Sequence, residues 1–569
     1  MKKTNFKKYF VIGIIILFVG AGIIPLVSGN WDTITTGLVN PSIYNACNVD
    51  METDWDGVLH VVWVDLSPFS GHNDYNGDKY DIFYRTRSSS GSWSSVELVS
   101  SESDRHTKGE GRASVSLALE DSYPDVWVHV AWVDESNILS SGTDADICYK
   151  CKKSGDPWPT VTEVVSTDSD KKSDNVSLAV DVNGCVHVVW DDFYDYGNSS
   201  GSYDSDIFYR MKDNIGSWGP IELVSTDSTD GSYDPSLDLH NGSIDIHVAW
   251  TDLTNLPNYP NHNDNQYDIF YKKKMGTTWG LTELVSTEST LIADYPSLEW
   301  DSIHDTVHVA WSDYTDFNGD GHQDIVYKSK PSFGSWPTIT EVVSTESKDV
   351  AIRPDLGIDS YGRVHVVWVD LTNISDNDNK KYDIFYKSKP GTCSIWSMPT
   401  TIVSTDSTDG ADRPCIAIDI NDSLYIAWDD FTNMSGHIDT DRDIFYKIGA
   451  GKYYSLVGSC KIVIRGHGFL DCTTGVYDFD FNQTVTPATN LNMLRFKQLG
   501  VTTTYGPDVY LYTHGWLSTN LLPPNSCLGG NCDNIRVGKK IWLFPPPWLG
   551  WIMRAVQNNN FRIEGIAYP

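Results

Sequence analysis

This sequence is short of positive charge. Its 569 residues hold 42 Lys and Arg against 76 Asp and Glu, a formal net charge of −34 at pH 7. No basic stripe is present to neutralise phosphates, which excludes a nucleic-acid partner. Such acidity fits cation binding, or solubility at a cell surface. After residue 27 no apolar run is long enough to span a membrane. Gly-x-Ser-x-Gly, His-Glu-x-x-His and a phosphate loop are all missing, so no common enzyme signature of those classes is available.

The one long apolar run opens the chain. Lys2, Lys3, Lys7 and Lys8 precede Tyr9–Val27, and Val27-Ser28-Gly29 offers small residues for cleavage before Asn30. Residues 1–29 therefore read as an export signal, with an uncleaved anchor as the rival reading because the run is long. The expected location is secreted or on the extracellular cell surface. Export also allows disulfides among the ten cysteines. Cys460, Cys472, Cys527 and Cys532 suit two local bridges, 460–472 and 527–532, although spacing does not fix connectivity. Cys148 and Cys151 fall three apart on a predicted strand, on opposite faces, and form no metal or redox pair.

Aromatic residues are abundant, with 21 Trp and 30 Tyr, and many of them mark a repeat. A His-Val-Val-Trp-x-Asp-like strand carries Trp63, Trp132, Trp190, Trp250, Trp311, Trp368 and Trp428. Each copy is followed by an acidic loop and then Asp-Ile-Phe-Tyr or a variant, starting at Asp81, Asp146, Asp206, Asp268, Asp324, Asp383 and Asp443. A Gly-Ser-Trp-type turn and a Glu-Leu-Val-Ser-type strand complete the unit. Inner strands such as Pro235-Ser236-Leu237 open it. Four short strands in roughly 60 residues are the pattern of a propeller blade. The seventh unit lacks its last strand, and Trp31–Val39 at the other end of the chain supplies a matching one. Pairing the two closes the ring and removes exposed edges. The predicted fold is all-β: a seven-bladed β-propeller over 30–448, closed by its N-terminal strand, and a small C-terminal β-rich domain over 449–569. Within the latter, Trp542–Trp551 with its three prolines could touch a surface or membrane.

These units resemble the BNR (Asp-box) propellers of the sialidase-like superfamily. The family turn, Ser-x-Asp-x-Gly-x-x-Trp, survives as degenerate forms such as Ser89-Ser90-Gly91-Ser92-Trp93 and Phe333-Gly334-Ser335-Trp336. Ile352-Arg353-Pro354 and Asp412-Arg413-Pro414 are similar to the family's Phe-Arg-Ile-Pro element, whose Arg grips a substrate carboxylate. The resemblance implies a glycan ligand. Tyr295 and Asp234 could be drafted as further site residues, whereas a third Arg and a nucleophile-activating Glu are not assignable. No catalytic residue is named on this basis.

Positions recurring in every blade serve the blade, and a site belongs where the repeat breaks. The Trp-x-Asp carboxylates recur in all seven units and are expected to accept N–H bonds from the following loop. The strand histidines, His60 to His365, recur in six and diverge radially, too far apart to share an ion. At the entrance to the inner strands the aligned positions vary: Asn45, Ser114, Asn175, Asp234, Tyr295, Arg353 and Arg413. Arg353, Arg413, Tyr295 and Asp234 are accordingly the candidate ligand-binding residues.

One loop carries a calcium-binding pattern. Asp316, Asn318 and Asp320 offer oxygens at alternate positions, Gly321 allows the turn, His322 offers a carbonyl, and Asp324 stands at the ninth position. Tyr327 replaces the usual twelfth-position Glu, and Asp313 is near enough in sequence to complete the set. Asp74–Asp78 and Asp439–Asp443 are weaker versions. The expected function is an exported binding or scaffold module, calcium-stabilised, for glycan or surface-protein ligands. Membrane contact would run only through an uncleaved N-terminus or the C-terminal domain. The alternative is a sialidase-like glycoside hydrolase acting on acidic glycans.

Overall fold

The computed structural model describes residues 36–37, 45–66, 80–104, 115–122, 125–142, 144–194, 204–239, 245–256, 266–372, 381–390, 396–397, 400–432 and 442–449, and strand backbone between 453 and 566. Residues 1–29, expected to be an export signal, and the loops at Asp74–Asp78 and 439–441 lie outside the described residues.

Seven antiparallel sheets follow one another along the chain, six of them ordered by sequence from the axis outward and the seventh completed by a strand from the start of the chain. Blade one comprises Ala46–Thr53, Leu59–Asp65, Asp81–Arg87 and Glu97–Leu98. The inner strands of the others are Val115–Ser122, Ser173–Val180, Ser232–Leu239, Ala293–Asp301, Ala351–Ile358 and Ala411–Ile418. Closure is as expected: Thr36 pairs with Tyr446 and Gly37 with Phe445, so the fourth strand of blade seven comes from the start of the chain.

The second strand is buried on both faces, as at Leu59–Asp65, because each sheet is covered by its two neighbours. A Trp indole at the far end of such a strand needs a hydrogen-bond partner. It finds one two residues on: Trp63 Nε1 donates to Asp65 at 3.2 Å, Trp250 to Asp252 at 2.8 Å, and Trp428 to Asp430 at 3.1 Å, with the same bond in the other four blades. The second carboxylate oxygen accepts the N–H of the next loop, for example Thr254 and Thr372. Losing such an Asp would orphan two buried donors, at about 1–3 kcal/mol each. The histidines are packing elements. Nδ1 meets the Tyr hydroxyl of the neighbouring strand, as in His60–Tyr84 at 2.7 Å and His365–Tyr386 at 2.8 Å. Burial, helped by Lys212, pushes the His129 imidazole down to about 3, so it stays neutral. In the turn before Trp218 of blade three, Asp213 Oδ1 accepts the N–H groups of Ile215 and Ser217.

Neighbouring inner strands are latched to one another around the axis. Asp50 accepts the Leu117 N–H at 2.8 Å, Ser116 that of Leu178 at 3.1 Å, Ser177 that of Leu237 at 3.1 Å, and Ser236 that of Leu298 at 3.0 Å. Ser297 then accepts from Leu356 at 3.0 Å and Asp355 from Ile416 at 2.9 Å. Thr53 Oγ1 donates to the Ile418 carbonyl at the joint between blades one and seven.

The C-terminal unit is separately compact. Its sheet is built on the hairpin Tyr453–His467 and Cys472–Val485, with Ile552–Ile566 on the other side of the first strand. In this register Cys460 stands opposite Phe479 and Cys472 opposite Gly466. The two pairs are roughly 20 Å apart along the hairpin. A 460–472 bridge is therefore corrected: its Cα atoms would have to lie within about 7 Å.

Candidate functional site

Six of the seven inner strands enter their sheets with a one-residue irregularity. The register slips between Cys47 and Asp50, Asp174 and Ser177, Tyr233 and Ser236, Asp294 and Ser297, Ile352 and Asp355, and Asp412 and Cys415. Within each slip one residue takes a left-handed conformation: Asn48, Asn175, Asp234, Tyr295, Arg353 and Arg413, with φ between 46° and 55°. Asn and Asp tolerate this region, while Tyr and Arg do so rarely. A bulge of this kind re-aims a side chain and halts pairing locally. Here it brings all six residues to one funnel of about 290 Å³ at the mouth of the central channel.

All four candidate ligand-binding residues thus meet in one place. The blade-one position needs correction. Asn48 takes it, not Asn45: Asn48 stands 15 residues before Trp63, as Asn175 does before Trp190 and Arg353 before Trp368, and it shares their left-handed backbone. Asn45 instead accepts the Arg442 N–H at 3.0 Å through its side chain. Ser114 lies outside the described residues.

The funnel is bipolar. On blades six and seven, Arg353 Nη1 contacts both oxygens of Asp412 at 2.5 Å, and its guanidinium lies 5.5 Å from the Tyr295 ring centre. Arg413 and Arg442 approach the buried Asp429 carboxylate at 3.6 and 3.4 Å. Burial raises the Asp412 carboxyl, but the Arg353 guanidinium outweighs it and holds the pKa below the ordinary value. At Asp429 burial prevails over Arg413 and the pKa rises to about 7. On blades three and four, Asn175 Nδ2 donates to Asp191 at 2.7 Å, and the Asp234 N–H reaches the same oxygen at 3.3 Å. Burial, reinforced by Asp174, pushes Asp191 up to about 8.

Sequence reasoning missed three of these groups. Arg442 is the third arginine at this rim. It directly precedes Asp443, where the other blades carry Tyr80, Ala145, Ser205, Tyr267, Gln323 and Tyr382. Asp191 and Asp429 follow the repeat Trp, where the other blades have Val, Thr or Ser. Both breaks were visible and lay outside the inner-strand alignment.

Below the funnel the channel widens to about 660 Å³ between the inner strands. Carboxylates line it, among them Asp50, Asp355 and Glu299, and burial raises all three, Asp50 to about 6 and Asp355 to about 7.

The Asp316–Asp324 loop is folded on itself. Asp316 Oδ1 accepts the Gly319 N–H at 2.6 Å, Asn318 Oδ1 that of Asp320, and Asp320 Oδ1 that of His322, both at 2.9 Å. Asp324 accepts the Asn318 amide at 2.8 Å and the Ser344 hydroxyl at 2.7 Å. Gly319 and Gly321 take φ of 85° and 86°, as the turn requires. The donor set is all oxygen and suits a hard cation. Among the described residues no three His, Cys, Asp or Glu groups converge as a ready metal cage. A cation here would draw these oxygens inward from the amides they now hold. Asp313 does not join them, since it is committed to Trp311 and Thr315.

No family model matches the chain, and no curated protein matches it. Among solved structures the chain shows similarity to several proteins. An ulvan lyase bound to a GlcA–Rha3S saccharide is 13% identical, with 74% of this chain and 96% of that one covered and a TM-score of 0.45. An α-L-arabinanase of Penicillium chrysogenum complexed with arabinobiose is 13% identical over 63% and 98%, with a TM-score of 0.37. An intramolecular trans-sialidase from Ruminococcus gnavus with oseltamivir carboxylate is 10% identical over 72% and 97%, with a TM-score of 0.36.

Proposed function

We propose that this propeller is an exported or cell-surface binding module that takes an acidic saccharide at the mouth of its channel. One observation carries the reading: Arg353 and Arg413 reach a single funnel on equivalent bulges, exactly where the repeat loses its sequence identity. A guanidinium offers five N–H donors in a planar fork suited to carboxylate or sulfate. Asp412 occupies Nη1 of Arg353 and acts as an internal stand-in for the ligand anion. A calcium ion at Asp316, Asn318, Asp320, His322 and Asp324 would stiffen a loop on the same end of blade five, since Asp313 and Asp324 pair where the inner strand begins at Ala293.

Titrating the purified protein with acidic saccharides and their neutral counterparts tests this. Acid-selective binding that Arg353→Lys weakens is expected, and equal binding of charged and neutral sugars would sink it. A second reading is a glycoside hydrolase on acidic glycans, favoured by Asp191. A buried carboxyl raised to about 8 stays protonated at neutral pH, as a general acid requires. Release of reducing sugar from any acidic glycan, abolished by Asp191→Asn, would put this reading first.

A further inference from the structure

The position after the repeat Trp has a structural task in other blades. Asp191 in blade three accepts the bulge N–H of Asp234 in blade four, and Ser312 in blade five accepts that of Arg353 in blade six. Asp429 in blade seven does no such thing. It is fully buried, and neither of its carboxylate oxygens has a hydrogen-bond donor in the protein. Its contacts are two ion pairs, with Arg413 Nη1 at 3.6 Å and Arg442 Nη1 at 3.4 Å. Both arginines keep some exposure, 16% and 24% of their side chains, and Arg413 lines the funnel. One buried carboxylate thus supplies the countercharge for two guanidinium groups at the mouth.

We propose that anion capture at Arg413 and Arg442 is coupled to protonation of Asp429: the ligand anion takes over the countercharge, and Asp429 takes up a proton from solvent. The inference rests on the acidic-saccharide reading and adds that the anion is bound together with a proton. A charged carboxylate buried without hydrogen-bond donors is costly, and only the two arginines offset that cost. An anion that draws on their field removes part of the offset. Burial prevails over Arg413 in the free protein, so Asp429 titrates at about 7, and a further rise on binding falls in the neutral range. The other groups that face Asp429 do not titrate there. At Asp412, its partner on the inner strand, burial is outweighed by Arg353 and the pKa stays below the ordinary value. Burial pushes the Cys47 thiol on blade one up to about 12. The guanidinium groups of Arg353, Arg413 and Arg442 stay charged. The sign follows from these directions. Well below pH 7 Asp429 is neutral with or without ligand, and affinity is level. As pH rises through 7 the free carboxyl ionises while the liganded one resists, so affinity falls.

The experiment titrates the full chain with D-glucuronate, whose own carboxyl stays ionised, from about pH 5.5 to about pH 8.5 at fixed ionic strength. Calorimetry in two buffers of different ionisation enthalpy counts the protons. Affinity should be level at the acid end and fall about threefold to tenfold between about pH 7 and 8, with about half a proton taken up per ligand midway. Asp429→Asn should abolish the uptake and level the profile. Asp191→Asn, which removes the raised carboxyl on blade three, should keep the uptake. Binding to native protein without uptake or pH dependence sinks the coupling and leaves the anion reading standing. Uptake that survives Asp429→Asn, or vanishes in Asp191→Asn, also sinks it. If glucuronate binds at no pH, both readings fall. The native protein and Asp191→Asn decide the matter even if Asp429→Asn folds poorly.

Discussion

Arg353 Nη1 is 2.5 Å from both carboxylate oxygens of Asp412, joining blade six to blade seven across the funnel rim. The pair is partly exposed, so its contribution to stability is modest, about 1–2 kcal/mol. In the proposed binding role its larger effect would be on affinity, because Asp412 would compete with an incoming anion. Asp412→Asn should lower the denaturation midpoint slightly and raise affinity for an acidic saccharide about threefold to tenfold. Equilibrium denaturation and titration on the same preparation read both. A fall in affinity would make Asp412 part of the ligand site and not its competitor.

Removing residues 31–39 should leave the third strand of blade seven, Asp443–Gly449, without its outer partner. The exposed edge invites pairing between molecules. Aggregation on heating, or a broadened and earlier denaturant transition, is the expected outcome. A monomeric variant with an unchanged transition would mean that the two-residue pairing contributes nothing to closure.

Stability should fall as pH rises from about 4 to about 8. Asp191 and Asp429 are raised to about 8 and about 7, chiefly by burial, from an ordinary value of 3.8. Through that window the folded protein keeps protons that the unfolded chain has released. Each fully linked group then lowers the unfolding free energy by up to about 1.4 kcal/mol per pH unit. Asp50 and Asp355 act in the same direction. Melting temperature at pH 5 should exceed that at pH 8, and Asp191→Asn should flatten the upper part of the profile. A profile that rises toward pH 8 would contradict this assignment.

Calcium should stabilise the protein through the Asp316–Asp324 loop. Without a bidentate Glu the affinity belongs to the weak extracellular range, on the order of 10⁻⁴–10⁻³ M. Tenfold excess over the dissociation constant would then add roughly 1.4 kcal/mol. Millimolar calcium should raise the melting temperature relative to chelator, and Asp320→Ala should remove most of the difference. Identical melting in both conditions would leave the loop as a self-bonded turn.

The propeller was legible because its signals repeat. Trp, Asp, His and Tyr recur at fixed offsets, and a strand missing at one end was present at the other. The convergence of Arg353 and Arg413 on one funnel was legible for the opposite reason, as a break in the repeat. What sequence spacing could not supply was the bulge, which turns one residue of the inner strand into the left-handed region and re-aims its side chain. Nor could it show that Asp191, Asp429 and Arg442, from other strands of their blades, crowd the same rim. The inter-blade latches were equally hidden, since a Ser in a strand gives no sign of which backbone it will bond.

The inner-strand bulge divides two tasks within three residues. At Arg353 the chain leaves the ladder and the side chain is released toward the axis. At Asp355 it has rejoined, and the carboxylate is bonded to the next blade. Changes at the first position alter what the mouth touches and leave the joints between blades intact. The lining of the mouth can therefore change blade by blade over evolutionary time without refolding the ring. For engineering, Asn48, Asn175, Asp234, Tyr295, Arg353 and Arg413 form a ready combinatorial library. The admissible alphabet is set by a backbone near +50°, with Gly, Asn and Asp as its least strained letters.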